Sequence, residues 1–271
     1  MNSSAIAFIG GGNMAGALMR GLLRQGAQAS DLIVVEPFEA TREALRAELG
    51  VEVLAQADAR LARAGLVVWA VKPQMFTSAA APCAAHVSRA LQLSVMAGIR
   101  SDQIAQAVGS ERVVRAMPNT PALIGQGIAG LYARPAVSDA DRKAAEQLLA
   151  PTGRTLWVAR ESDLDTVTAL SGSGPAYFFY IVEAMTAAGV ELGLPAEQAR
   201  ELALATCGGA AALAQQSGED VGVLRQRVTS KGGTTYAALE SLCADGVNEA
   251  MRRAVRAAAE RARELGDEFG R

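Results

Sequence analysis

The 271-residue chain has little of what usually announces chemistry or partners: one histidine, three cysteines and 4% aromatic residues. Cys83, Cys207 and Cys243 lie far apart and form no C-x-x-C pair, which excludes a disulfide framework and a sulfur-based zinc site. Each is expected to be a small buried residue. His86 sits in an alanine-rich stretch with no His or Cys at ligand spacing, so a surface or capping role is expected and no metal site. Neither sign of charge is in excess. With 26 Lys+Arg against 28 Asp+Glu and a net charge of −2, the chain generates no field that attracts a polyanion, and nucleic acid is excluded as a partner. No apolar run is long and unbroken enough to span a bilayer, and the opening Met-Asn-Ser-Ser lacks the basic region of a signal peptide. A cytoplasmic protein with no membrane partner is expected.

What the chain does have is apolar mass, half of its residues, enough for one large domain or two smaller ones. The first stretch is the most informative. Ile6–Ile9 reads as a buried strand and runs into Gly10-Gly-Gly12-Asn-Met-Ala15, after which Leu18, Leu22 and Leu23 repeat at helical spacing. Gly10 allows the sharp turn off the strand, Gly12 has no side chain to hold a pyrophosphate away, and Ala15 lets the helix pack close to the sheet. The new helix turns its N–H groups toward the anion. The turn predicts a dinucleotide site.

Continuous Val/Ile-rich runs at Leu32–Val35 and Leu66–Val71 alternate with helical patterns and complete a βαβαβ unit. Further strands are expected at Gln92–Met96, Val113–Met117, Ile128–Tyr132 and Arg154–Val158, and a helix at Ser138–Ala150. Beyond about Glu161 the segments 176–192, 196–216, 221–227, 235–243 and 248–265 are Ala- and Leu-rich, and no convincing strand remains. Gly193 and Pro195, the latter expected just inside a helix start, mark one boundary. The fold class is therefore an α/β Rossmann-type parallel sheet domain over 1–160 followed by an all-α dimerisation domain over 161–271. Helices so rich in alanine and so low in charge are expected to bury surface against a second subunit, with a tightly packed monomeric bundle as the alternative.

Glu36 ends the second strand, where an acidic residue takes the adenosine ribose hydroxyls of NAD and repels a 2′-phosphate. Arg42 follows closely enough to reach a phosphate if the loop folds over it, so the cofactor is NADP or NAD. In open α/β sheets ligands lie beyond the carboxyl ends of the strands. Ala70-Val71-Lys72-Pro73, Val95-Met96-Ala97-Gly98 and Met117-Pro-Asn119-Thr-Pro are such positions, and the last two loops are expected to line the nicotinamide pocket. Lys72 faces either the cofactor or solvent. A second site is suggested by Val228-Thr-Ser-Lys-Gly232-Gly233-Thr234-Thr235-Tyr236, where glycines ahead of threonines leave backbone N–H groups free at a helix start, an anion cradle.

Val228–Leu242 is similar to the C-terminal signature of the pyrroline-5-carboxylate reductases. Leu170-Ser-Gly-Ser-Gly-Pro-Ala-Tyr177, Ala70-Val-Lys-Pro73 and Met117-Pro-Asn-Thr-Pro-Ala122 resemble family motifs in the expected order. The resemblance covers nearly the whole chain. It implies reduction of 1-pyrroline-5-carboxylate to L-proline, the last step of proline biosynthesis, by a homodimer whose second domain completes the substrate site at the subunit interface, with dimers assembling further into decamers. By the same resemblance Gly233 and Thr234 hold the substrate carboxylate through their backbone, the Thr235 hydroxyl bonds the ring nitrogen, and Glu161 contacts substrate. Asn13, Met14, Ala70, Val71, Lys72, Pro73, Val95, Met96 and Ala97 match cofactor-contacting positions. Glu36-Pro37-Phe38 departs from the small hydroxyl or basic residues common in the ribose loop.

The residue inventory agrees with that chemistry. Ketone reduction usually recruits a His, Lys or Tyr as proton donor, and His86 is badly placed for it. A cyclic imine carries its own proton near neutral pH, so the enzyme mainly aligns carbon and hydride donor and holds the carboxylate. A β-hydroxyacid dehydrogenase would need a lysine on a long helix, whereas Lys231 sits in the glycine loop. A non-catalytic NAD(H)-sensing module would need no anion cradle.

Overall fold

The computed structural model describes residues 5–269. The chain packs as two compact units, one formed by the residues up to Ser173 together with those from Ala258 onward, the other by Gly174–Ala257. The sequence suggests a domain boundary between 160 and 161, whereas the compact units divide after Ser173. Leu164 and Ala169 are buried, and Asn119 Nδ2 donates to Ser171 O at 3.2 Å, which keeps the segment after 160 in the first unit. The chain's last turns return there too, through a bond from Gln103 Nε2 to Phe269 O and an ion pair from Arg100 to Asp267.

The first unit is built on one sheet of eight strands: β1 (Ala5–Ile9), β2 (Leu32–Val35), β3 (Glu52–Leu54), β4 (Ala64–Trp69), β5 (Leu91–Ser94), β6 (Val113–Met117), β7 (Gly127–Ala133) and β8 (Gly153–Trp157). Their order across the sheet is 3-2-1-4-5-6-7-8, so the chain reverses direction of travel between β1 and β4. Crossover helices α1 (Asn13–Arg24), α2 (Glu39–Leu49), α3 (Phe76–Val87) and α4 (Ser101–Val108) return the chain, and β1 to β6 run parallel. The link from β6 to β7 carries no crossover helix, and β7 accordingly comes back antiparallel. Helix α5 (Asp139–Leu149), opened by a reciprocal Ser138–Asp141 capping box, then carries the chain to β8, parallel to β7. A purely parallel sheet, as the apolar runs suggest, thus acquires two reversed strands at one edge. Edge strand β3 was not expected from its three residues.

Both faces of this sheet are covered. Phe8, Val34, Val68 and Leu93 belong to one apolar cluster, while Ala7, Ile9, Ile33, Val35, Val67 and Trp69 belong to the other. Successive strand residues thus alternate between two cores, which is why the runs contain no polar face. Gln92 is fully buried yet satisfied: its Nε2 donates to Val87 O and Ala90 O, and its Oε1 accepts from Trp69 Nε1 at 2.9 Å. Cys83 lies in the second cluster, and burial pushes its thiol up to about 11.

The segment after β8 forms α6 (Asp163–Val167) and a π turn over Thr168–Gly172. The second unit is helical: α7 (Gly174–Glu191), α8 (Ala196–Ser217), α9 (Val221–Arg227), α10 (Thr234–Ala244) and the first part of α11 (Val247–Phe269). Pro195 caps α8 from outside and accepts from Ala199 N, one position before the expected place. Gly189 meets Ala199, so small residues bring α7 and α8 together. The buried apolar residues described in this unit are only Val182, Ala199 and Ala203, while Phe178, Phe179, Tyr180, Leu192, Leu202 and Leu213 are exposed. Cys207 is half-buried and Cys243 exposed, which corrects the expectation that all cysteines are buried. Both lie on helices whose faces a single chain does not cover. Among the described residues no helix is long and apolar enough to cross a membrane, and no cluster of three metal-ligating side chains occurs.

Candidate active site

The carboxyl ends of β1, β2, β4 and β5 form one row. Gly10 N donates to Val35 O, Ala70 N to Ile9 O and Val95 N to Trp69 O, so the chain leaves these strands at matching levels. Gly10 has φ +98°, and a Cβ there would come within 2.7 Å of Ala70 O, a position only glycine fits. Nothing lies within 4 Å of a Cβ on Gly12, the N-cap of α1, so the space in front of it is open. The first turn, Asn13, Met14 and Ala15, contains no acidic residue, and no acceptor among the described residues takes its N–H groups. Open space, free amides and the positive end of a helix suit a pyrophosphate.

Glu36 closes the neighbouring strand. It is buried, its Oε2 accepting from Gly11 N and its Oε1 from Phe38 N, both at 2.9 Å. Arg42, the other candidate from the ribose loop, donates through one guanidinium nitrogen to Glu36 O and Pro37 O. Ala70, Val71 and Pro73 are half-buried and Lys72 exposed on the turn after β4. After β5, Val95 and Ala97 are half-buried, whereas the Met96 side chain is buried in the second core and offers the edge its backbone alone. Asn119, beyond β6, spends its amide on Ser171 O and Ile128 N. It braces that loop.

Glu161 is half-buried and held by a network that local sequence pattern does not reveal. Its carboxylate accepts from Ser101 N at 2.6 Å, from Ser101 Oγ at 2.5 Å and from Arg115 at 2.8 Å. Burial pushes its pKa up, but the Ser101 bonds and the Arg115 charge outweigh it and hold the group below the ordinary glutamate range. Arg115 stands in β6 between Val114 and Ala116 and is 5% exposed; its Nε has no partner among the described residues. The one available signal was the charge itself, a lone arginine in a strand buried on both faces.

The segment expected to be an anion cradle lies at the start of α10. Gly232 has φ +76°, Gly233 is the N-cap, and Thr229 Oγ1 donates to Arg225 O. Gly233 N is already spent on Ser230 O at 3.0 Å. The open donors therefore begin at Thr234, and the N–H groups of Thr234, Thr235 and Tyr236 meet no acceptor among the described residues. Thr234 is exposed and Thr235 half-buried. An uncapped helix start without acidic residues favours a carboxylate by charge and by hydrogen bonding.

Comparison with known proteins adds independent findings. Residues 161–265 match the family model described as pyrroline-5-carboxylate reductase dimerisation, and residues 5–98 match NADP oxidoreductase, coenzyme F420-dependent. A pyrroline-5-carboxylate reductase of Pseudomonas aeruginosa is 42% identical over the full length of both chains. The structure of the Coxiella burnetii pyrroline-5-carboxylate reductase superposes with TM-score 0.91 at 36% identity, covering 97% of this chain and 99% of that one. The Plasmodium falciparum pyrroline carboxylate reductase, crystallised with NADP bound, gives 0.86 at 28% identity and covers 98% and 99%.

Proposed function

The chain belongs to the pyrroline-5-carboxylate reductase family, and from that premise we propose how its own residues divide the work. The reaction is the NAD(P)H-dependent reduction of 1-pyrroline-5-carboxylate to L-proline, the last step of proline biosynthesis. Residues 1–160 hold the dinucleotide. Gly10 and Gly12 shape the pyrophosphate turn, Asn13 and Met14 open the helix behind it, and Glu36 takes the ribose. Ala70, Val71, Lys72, Pro73, Val95, Met96 and Ala97 line the edge toward the nicotinamide. The helical residues 161–271 bind substrate and a second copy of the chain.

When bound, the reduced nicotinamide would supply a hydride to the carbon of the protonated C=N bond, C2 of 1-pyrroline-5-carboxylate, whose π electrons pass to nitrogen to give the secondary amine. The N-terminus of α10, through Thr234 N and Thr235 N, holds the substrate carboxylate, and the Thr235 hydroxyl bonds the ring nitrogen. This fixes which carbon faces the hydride. Gly233 contributes its lack of a side chain, since a Cβ there would come within 2.6 Å of Ser230 Oγ and its N–H is already engaged. Glu161 contributes by fastening Ser101, the first residue of α4, to Arg115. The exposed aromatic residues of α7 make the surface that the second copy covers, and dimers assemble further into decamers in the cytoplasm. The observation that carries the substrate site is the uncapped start of α10.

The test is steady-state oxidation of reduced cofactor with 1-pyrroline-5-carboxylate. Thr235→Ala is expected to lower kcat/KM by about 100-fold, with Thr235→Ser restoring most of it. Unchanged turnover in Thr235→Ala removes that residue from the mechanism.

A further inference from the structure

The position that departs from the family's ribose loop is also the most firmly fixed polar group on the dinucleotide edge. Glu36 is 6% exposed, and each of its carboxylate oxygens is pinned by a backbone N–H, one from the glycine turn and one from the residue before α2. A carboxylate has about four lone-pair sites, so two remain for ligand donors. Beyond the end of this strand lies the adenosine ribose of a dinucleotide in any sheet of this winding. A free 2′-hydroxyl has a proton to give such a group. A 2′-phosphate dianion has none and brings like charge against a charge that cannot move away.

The N–H of Phe38, the N-cap of α2, is already donated to Glu36. The first turn of that helix adds the acidic Glu39. Arg42, which follows the loop, has a guanidinium nitrogen bound to the carbonyls of Glu36 and Pro37, which ties it to the backbone of the loop. A pocket built for a 2′-phosphate places cations and free amides at this point. Here the Phe38 amide is taken, the open first turn of α2 carries Glu39, and the buried charge is negative.

We propose that this chain takes NADH in preference to NADPH and that Glu36, clamped between Gly11 and Phe38, is the residue that rejects the 2′-phosphate. The proposal rests on the reading of the glycine turn as the dinucleotide site. The test is titration calorimetry of the full-length protein with NADH and with NADPH, without substrate, in the wild type and in Glu36→Gln, Glu36→Ser and Arg42→Ala. The wild type is expected to bind NADPH at least about tenfold more weakly than NADH, or about 1.4 kcal/mol. Glu36→Gln, which keeps the shape and removes the charge, brings the two dissociation constants to within about threefold. Glu36→Ser does the same should the glutamine variant fail to fold, as its thermal midpoint will tell. Arg42→Ala leaves the ratio near its wild-type value.

A wild type that binds NADPH as tightly as NADH overturns the proposal and leaves the dinucleotide site standing. So does a ratio that neither Glu36 variant moves, or one that Arg42→Ala moves most. A protein that binds neither nucleotide overturns the proposal together with the reading beneath it.

Discussion

The two units use the same kinds of residue and finish differently. In the sheet unit, Phe8, Trp69, Leu93 and their neighbours disappear into two cores, and even a glutamine and an arginine are drawn inside with partners. In the helical unit three consecutive aromatic residues, Phe178, Phe179 and Tyr180, stand exposed at 63%, 61% and 72%. At 100° per residue those three side chains sweep just over half of the helix circumference, so the exposure is not one stray face. One unit completes its core within a single chain, and the other lies within the segment matched by the dimerisation family model and leaves apolar helix faces exposed.

The harshest way to break this contrast is to put charge where the second chain should sit. Phe179→Glu with Tyr180→Glu is expected to yield monomers by sedimentation and to lower activity by more than about 100-fold, since the substrate site loses its alignment. A double variant that stays dimeric and active removes the distinction between the units. A smaller effect belongs to the sheet unit alone. Glu161→Gln leaves the buried Arg115 charge without its counter-charge and should cost about 3 kcal/mol of stability, read from the denaturation midpoint.

The pH dependence sharpens the same point. Glu161 and Asp141 both have lowered pKa values. For Glu161, burial opposes the shift and the Ser101 bonds and Arg115 overcome it; for Asp141 the Arg112 hydrogen bond dominates. A carboxylate depressed in the folded state adds stability that is complete above its unfolded pKa, about 4, and is lost as pH falls through the folded value. Both tryptophans, Trp69 and Trp157, lie in the sheet unit. Their fluorescence should therefore report a midpoint that is flat down to about pH 5 and declines below about pH 4, and Glu161→Gln should reduce that decline. The smallest effect is expected at Glu260, whose pair with Arg263 is exposed on both sides. Glu260→Ala should leave the thermal midpoint unchanged.

Much of this was legible in the sequence because it depends on local pattern. The buried strands show as uninterrupted Val/Ile runs, Val221–Arg227 stands out as a helix between turn residues, and the glycine turn is readable because each glycine answers a separate steric demand. What escaped depends on distant partners. The reversal of β7 follows from a missing crossover, which no residue encodes. Glu52–Leu54 is too short for periodicity, and gains its place by pairing with β2. The Glu161 clamp joins three residues from three parts of the chain, and Gly233 looks like a free donor until the turn delivers Ser230 O to it. The break after Ser173 is invisible for the same reason, since composition changes at 161 and packing does not.

Helix α11 gives the molecule an order of assembly. Its end brings Phe269 against Gly98, on the loop after β5, and Asp267 to Arg100. A ribosome delivers every strand of the sheet and then the whole helical insert before it delivers that plug. Until translation reaches residues 258–269, the Gly98 loop after β5 lacks its cover, and the nascent chain holds a nearly finished sheet with an unfinished rim.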